Sequence, residues 1–259
     1  GWMPFGGTIR ALLTEHPGVP STLVDGPDEM RAKVRELIRM GADVIKVATS
    51  GGVLSPRDKP THAHFRPEEL EVLVEEATAA GIFVMAHAQA APGIKNAIRA
   101  GIRSIDHGIY LDDEAIELML ERGTWLVPTL VAPRGVIDAA DAGASIPEAS
   151  VAKAREVVET HAASFAKAVA AGVKVAMGTD SGVTPHGRNL RELALMVEGG
   201  MTPMQAIEAT TRSAAELMGL EVELGTLEPG KRADLVVVDG DPLEVERLAE
   251  RVEAVYKDG

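Results

Sequence analysis

The sequence predicts an α/β protein built around a parallel β-sheet. A unit made of an amphipathic helix, a glycine and a short apolar strand recurs along the 259-residue chain, and helices that alternate with buried strands indicate βαβ connections. Each glycine stands where a helix is expected to end in a left-handed residue before the chain reverses. The glycines of these units are Gly41, Gly81, Gly101, Gly123 and Gly172.

The elements follow from these units in chain order. Proline in the first turn marks helix starts at Pro67 and Pro203, because the N–H that proline lacks would be unpaired there anyway. Strands are predicted at residues 43–48, 82–87, 102–107, 124–129 and 173–180. The longest helix is predicted from about Pro147 to Ala171, and two later helices, near Asn189–Glu198 and Pro203–Met218, are predicted to end at Gly199 and Gly219.

From residue 221 onward the pattern changes to turns and short strands. Residues 233–238 are predicted as a strand, Asp239–Pro242 as a turn, and residues 251–256 alternate as a half-exposed strand. Two such strands cannot form a stable sheet alone. We therefore divide the chain into an α/β domain, residues 1–220, and the strands of a small β domain, residues 221–259.

Composition narrows the classes of function. The net charge of −13 disfavours nucleic-acid binding, which needs clustered Lys and Arg to neutralise phosphates. The chain has no cysteine, so a thiolate nucleophile and a thiolate metal site are excluded. No apolar run approaches the roughly 18 residues that cross a bilayer, and no signal peptide is visible. We therefore expect a cytoplasmic protein without nucleic-acid or membrane partners.

Residues able to carry chemistry follow the recurring glycines at similar distances. Each falls at the carboxyl end of a predicted strand, which is the edge where parallel α/β sheets and barrels form their active sites. One histidine at such a position is usually a core or capping residue, but two histidines, an aspartate and a lysine at equivalent positions indicate a site. These residues are Lys46, His87, His107, Thr129 and Asp180.

Lys46 stands within the apolar run Asp43–Ala48, where an unpaired ammonium would be costly. It could pair with a carboxylate, bind a substrate anion or form a Schiff base. It could also be carboxylated, which turns the amine into a bridging carboxylate ligand. The residues themselves leave these alternatives open.

Several motifs resemble the metal-dependent amidohydrolase superfamily. Within it, the chain is most similar to the imidazolonepropionase-related branch that contains prolidase-like Xaa-Pro dipeptidases and basic-residue carboxypeptidases. The resemblance covers nearly the whole chain, and its motifs occur in order. They are Val44-Ile45-Lys46, Ser50-Gly51-Gly52-Val53, Ala86-His87-Ala88, Ile105-Asp106-His107-Gly108, Pro128-Thr129, Gly178-Thr179-Asp180-Ser181-Gly182 and the tail from Gly225 to Val236.

The resemblance implies a (β/α)8 TIM-barrel-type fold with a small β-sandwich, and a binuclear metal site. Lys46 would be a carboxylated lysine that bridges two divalent ions, and His87 and His107 would bind the second ion. Asp180 would bind the first ion and act as general base toward a metal-bridged hydroxide. Two zinc ions are expected, with manganese or cobalt as alternatives. The expected reaction is hydrolysis of C–N bonds in dipeptides or N-acyl amino acids.

One departure from the family pattern leads to a further expectation. The His-X-His of the family's first strand is missing, so only strands four to eight of the barrel are expected here and the chain would be a large fragment. His62 and His64 follow the Lys46 strand in a polar loop, and we expect them to be exposed or substrate-facing instead of metal ligands. The incomplete barrel would leave an exposed sheet edge, which predicts a homo-oligomer.

Three loop residues are further candidates for binding a substrate carboxylate or an oxyanion, namely Tyr110, His186 and Arg188. Cyclic-amide hydrolysis or deamination is the nearest alternative activity, because the metal ligands would be the same. An inactive, self-associating α/β fragment is an alternative of another class. A metal-free lyase with Lys46 as Schiff-base lysine is a third hypothesis, which His87, His107 and Asp180 disfavour.

Overall fold

The structure is a computed structural model that describes residues 22–54 and 58–259. Helices and strands alternate through most of the chain, as the sequence predicts. In order, the elements are α1 (Pro27–Arg39), β1 (Val44–Ala48), α2 (Pro67–Ala79), β2 (Phe83–Ala88), α3 (Ala91–Ala100), β3 (Ser104–His107), α4 (Asp113–Arg122), β4 (Trp125–Val127), α5 (Val131–Asp141), α6 (Glu148–Ala171), α7 (Arg191–Glu198), α8 (Pro203–Thr210), α9 (Arg212–Met218), β5 (Leu235–Val238), a 3₁₀ helix (Val245–Glu250) and β6 (Val252–Tyr256).

The central sheet is parallel, with strand order β1-β2-β3-β4. The predicted fifth strand joins it next to β4 by a single bridge between Leu126 and Val175. There the Leu126 N–H donates to the Lys174 carbonyl at 2.8 Å, and the Ala176 N–H donates to the Leu126 carbonyl at 3.0 Å. The predicted parallel sheet is confirmed, although the fifth segment forms one bridge instead of a regular strand.

The five recurring glycines all have a positive φ, between 66° and 93°. Gly101, Gly123 and Gly172 are the left-handed C-caps of α3, α4 and α6. Glycine reaches this backbone region without steric penalty, so the chain can leave each helix and turn back toward the sheet. The predicted helix–glycine–strand unit is therefore confirmed.

The two faces of the sheet differ in chemistry. Alternate residues of the first three strands form one buried apolar face, on which Ile45 pairs with Val84, and Ile105 pairs with Ala86. Burying each such side chain contributes about 1.5–3 kcal/mol. Because side chains alternate along a strand, Lys46 and His87 lie on the opposite face. The architecture thus separates a packing face from a face that carries polar groups.

Two helical segments differ from the predicted ones. The helix predicted over Pro203–Met218 is divided at Thr211, whose φ of −116° and ψ of −88° are not helical. The helix α5, which contains Pro133 and Gly135, was not predicted. Pro133 is tolerated because it lies in the first turn, where the backbone N–H groups have no intrahelical partner.

The two strands after residue 220 pair with each other as an antiparallel hairpin, with an irregularity at Val237/Val238. This hairpin exposes apolar side chains, including Val236, Val255 and Tyr256. Among the described residues, no helix is both long and apolar enough to cross a bilayer.

Candidate active site

The carboxyl ends of adjacent strands bring the predicted site residues into one region. The strand register pairs Ala48 with His87, His87 with Asp106 and Ala88 with His107. The Lys46 ammonium contacts the Asp106 carboxylate. Burial is the main cause of the shifted pKa values of His87, His107, Asp106 and Asp180, and the Lys46 charge contributes to each of the four. The strand register and these charge effects place the four groups near Lys46.

Both histidines are buried and neutral at physiological pH. Burial lowers the pKa of His87 to about 4 and holds the pKa of His107 well below its usual range. The two rings meet edge to face with their centroids 4.6 Å apart. Neutral imidazole nitrogens are the form that binds metal ions.

Each ring is oriented by a contact from the neighbouring loop or strand. His87 Nε2 lies 3.1 Å from the Gly51 carbonyl oxygen. Because a carbonyl oxygen can only accept a hydrogen bond, Nε2 carries the proton and donates. His107 Nδ1 lies 2.6 Å from the Thr129 hydroxyl oxygen. If Nδ1 carries the proton and donates to Thr129, Nε2 of His107 keeps a lone pair for a metal ion.

Three non-glycine residues at this edge have left-handed backbone conformations. They are His107 (φ 74°), Thr129 (φ 54°) and Asp180 (φ 53°), and each lies where a segment of the sheet ends. Such conformations cost on the order of 1–3 kcal/mol each and are concentrated at functional sites. Here they turn three polar residues away from the regular alternation of their strands, which makes this edge the candidate for a functional site.

Asp180 lies in a tight turn at the end of the fifth segment. Its carbonyl accepts a hydrogen bond from the Val183 N–H at 3.0 Å, and the hydroxyls of Thr179 and Ser181 on either side are 2.8 Å apart. The side chain remains exposed. The surrounding protein still raises the pKa of Asp180 by displacing water, against the opposing effect of Lys46. Asp180 is therefore open to solvent and takes up a proton more readily than an ordinary aspartate.

Asp106 is a site residue that the sequence reasoning passed over. It is buried, one oxygen contacts Lys46, and the other, Oδ1, has no hydrogen-bond partner among the described residues. Burial raises the pKa of Asp106, with the Lys46 charge opposing. A signal was present, because strand alternation places Asp106 on the Lys46 side of the sheet. In the structure Lys46 pairs with a carboxylate, one of the alternatives open from the sequence, and its side chain is 45% exposed although its neighbours in the strand are apolar.

The loop that carries His62 and His64 is only partly as expected. His62 is half-exposed, but His64 is buried, with Nε2 3.2 Å from the Asp58 carboxylate. The loop packs closely on the segment after β1, since a Cβ on Gly51 would lie 2.1 Å from the Lys59 carbonyl oxygen. The loop therefore fixes the Gly51 carbonyl that contacts His87.

The three predicted loop candidates occupy different environments. Tyr110 is half-buried, its N–H donates to the Gln89 carbonyl at 3.0 Å, and burial together with the Glu156 charge raises the pKa of its phenol. His186 and Arg188 are exposed on the loop after Asp180. Their roles in binding a substrate stay predictions.

The donor chemistry of the site suits a divalent metal ion. Two neutral imidazoles, the Asp180 carboxylate and an unpartnered Asp106 oxygen are nitrogen and oxygen ligands of the kind that zinc, manganese and cobalt take. In the described part of the chain, however, no three His, Asp or Glu side chains stand close enough together to hold an ion by themselves. The residues fit a metal centre as a partial set of ligands.

A parallel α/β sheet with histidines and acids at its carboxyl edge is the arrangement on which α/β enzymes build their active sites. The chain belongs to the amidohydrolase family, which it matches over residues 5–259. The resemblance seen in the sequence motifs is thereby confirmed.

Known relatives agree with this membership. Ochratoxinase from Aspergillus niger is 41% identical over 252 residues, which cover 94% of this chain and 51% of the relative. The crystal structure of a Xaa-Pro dipeptidase with bound methionine is 42% identical with a TM-score of 0.85, over 91% of this chain and 58% of that one. Imidazolonepropionase from Rhizorhabdus wittichii is 34% identical over 73% of this chain and 42% of the relative. The chain spans about half the length of the first of these relatives.

Proposed function

We propose that the protein is a metal-dependent hydrolase of C–N bonds in small substrates, with dipeptides or N-acyl amino acids as the preferred class. The observation that carries this proposal is the convergence of Lys46, His87, His107 and Asp180 at the carboxyl edge of one parallel sheet. The relatives support the substrate class, since a Xaa-Pro dipeptidase and a prolidase complexed with N-methylphosphonate-L-proline are among them.

In this proposal His87 and His107 hold the metal through neutral ring nitrogens, with Asp180 and a carboxylated Lys46 as oxygen ligands. Two zinc ions are the proposed complement, with manganese or cobalt as substitutes. When bound, a divalent ion lowers the pKa of a water molecule and polarises the scissile carbonyl. Carboxylation of Lys46 would require its ammonium to lose a proton and leave its contact with Asp106, and nearly half of the side chain is exposed.

The proposed role of Asp180 is proton transfer. Its carboxylate takes a proton from the attacking water and later delivers it to the leaving amine, as a general base and then a general acid. Support comes from the exposure of its side chain and from the turn that fixes its backbone. Tyr110, His186 and Arg188 are the proposed contacts for the substrate carboxylate.

The architecture of the parent fold is part of the proposal. The four strands and the 173–180 segment would be strands four to eight of a (β/α)8 barrel in residues 1–220, and the β5–β6 hairpin would belong to a β-sandwich in residues 221–259. Within the described residues, β1 is an edge strand that no other strand covers. We propose that this edge makes the chain self-associate, and light scattering that gives a monomer mass would refute this part.

The first experiment is elemental mass spectrometry on protein purified with added zinc and bicarbonate. His87→Ala is compared with His62→Ala, a half-exposed histidine outside the proposed ligand set. Near two metal equivalents in the wild type and in His62→Ala, with fewer in His87→Ala, would support the proposed site. Equal metal content in all three proteins, or none in the wild type, would refute it.

Activity is then measured on Xaa-Pro and Xaa-Arg dipeptides, with Asp180→Asn as the variant expected to lose turnover while keeping substrate affinity. The relation to imidazolonepropionase favours a cyclic amide as second candidate substrate, so one is assayed in parallel. If borohydride traps a substrate adduct on Lys46 in metal-free protein, the Schiff-base mechanism replaces the hydrolytic one.

A further inference from the structure

Glu192 is a buried acid that the proposed mechanism does not use. It lies in the first turn of α7, and its side chain has no exposed surface. One carboxyl oxygen accepts a hydrogen bond from the Leu130 N–H and the other from the Val131 N–H, both at 2.7 Å. These N–H groups belong to the start of α5, where the helix itself supplies no acceptor.

The two N–H groups follow directly on Thr129, whose hydroxyl contacts His107 Nδ1. The Leu130 N–H lies in the same planar peptide group as the Thr129 carbonyl and Cα. A hydrogen bond that fixes the direction of this N–H therefore fixes the ψ angle of Thr129. Thr129 is also one of the left-handed residues of the site, with a φ of 54°, so its conformation needs support from outside.

A helix start can be capped by a simpler device than Glu192. In α4, Asp112 caps its own helix by accepting the Ala115 N–H at 2.9 Å, and it stays partly exposed. Glu192 comes from 62 residues away and is completely withdrawn from water, which is unfavourable for an ionisable group. The two hydrogen bonds of Glu192 connect α7 to the turn after Thr129. A Ser or Asn cap next to the helix start would satisfy the same N–H groups without this connection.

We infer that Glu192 is a positioning residue for His107: it holds the turn of Thr129 to Val131, so that the Thr129 hydroxyl keeps the His107 ring protonated at Nδ1 and turned toward the site. The importance of this for catalysis rests on the proposed function, in which His107 is a metal ligand. Partners that orient a ligating histidine typically change metal affinity or activity by about 10–100-fold when removed.

The test reads the His107 ring directly, by ring-nitrogen NMR of the full chain labelled with ¹⁵N-histidine and kept free of metal. The His107 signals are assigned by their loss in His107→Asn. In the wild type we expect a protonated Nδ1 and an unprotonated Nε2. The spectra are recorded at pH 9, where Glu192 is ionised and both of its oxygens accept. In Thr129→Val and in Glu192→Gln, which leaves one acceptor for two N–H groups, we expect a mixture of tautomers. Glu198→Gln, on the exposed side of the same helix, should match the wild type.

The double variant Thr129→Val/Glu192→Gln tests whether Glu192 acts through Thr129. The double variant should show the same tautomer mixture and the same loss of zinc affinity, about 10–100-fold, as Thr129→Val alone. Additive losses, or an unchanged His107 in Glu192→Gln, would overturn the inference. An Nε2-protonated ring in the wild type would overturn it as well.

If Glu192→Gln does not fold, hydrogen exchange in the wild type and in Thr129→Val decides the matter. The Leu130 and Val131 amides should be strongly protected in both proteins, and rapid exchange of either amide in the wild type would overturn the inference. The NMR readout needs no metal. A wild type that binds no zinc but has the expected tautomer would therefore refute the proposed function and leave the positioning role intact.

Discussion

Glu192 also makes the stability of the protein depend on pH in a direction unusual for a carboxylic acid. Burial raises the pKa of Glu192 to about 8, and the Leu130 and Val131 N–H groups with Arg134 only partly oppose it. An unfolded glutamate has an ordinary pKa near 4.5. Between these values the folded state binds a proton that the unfolded state has lost, so the free energy of unfolding falls as the pH rises.

The size of this effect follows from the two pKa values. Below pH 4.5 Glu192 is protonated in both the folded and the unfolded state, and above about pH 8 it is ionised in both. The contribution of Glu192 to the free energy of unfolding therefore changes with pH only between these limits. From pH 7 to pH 9, the folded pKa of about 8 corresponds to a loss of about 1 to 2 kcal/mol. This window also avoids the buried His87, His107 and His161, because their pKa values are lowered by burial and their titration lies below it.

The assay is urea unfolding of the wild type and of Glu192→Gln at pH 7, 8 and 9. Glutamine does not titrate, so the stability difference between the two proteins should shift by about 1 to 2 kcal/mol in favour of the variant across this range. Titration of all other groups is common to both proteins and cancels. Parallel pH profiles would show that Glu192 is already ionised at pH 7, and the reasoning from burial would then be wrong.

Three substitutions test the packing around the site by urea unfolding. Gly178→Ala places a Cβ 2.5 Å from Val127 Cγ1 and should cost about 1–3 kcal/mol through overpacking, and an unchanged midpoint would contradict the close approach of the two segments. Phe165→Ala removes a fully buried ring and should cost about 3–5 kcal/mol, whereas a loss below about 1 kcal/mol would mean that the ring is not in the core. Asp112→Ala removes the cap of α4 and should lower the free energy of unfolding by about 1 kcal/mol more than Glu117→Ala in the same helix. Equal losses of stability in the two variants would show that the cap contributes nothing.

Much of the fold could be predicted because its signals are local in the chain. The left-handed glycines, the first-turn prolines and the apolar strand runs each act over a few residues, and the strands β1 to β4 lie where they were predicted. The helix α5 was missed because Pro133 and Gly135 are poor helix formers by local criteria. Its start is satisfied by Glu192, a partner 62 residues away that no local pattern announces.

For the candidate site, the types of residue and the edge of the sheet on which they lie could be predicted from the sequence. Lys46, His87, His107 and Asp180 were all identified from their positions at strand ends, because strand direction alone decides which end meets the active edge. The contacts between these residues depend on how distant parts of the chain pack together. Asp106 contacts Lys46, the Thr129 hydroxyl contacts His107, and Glu192 contacts the turn of Thr129 to Val131. Strand register and helix packing join these residues, which are distant in the chain.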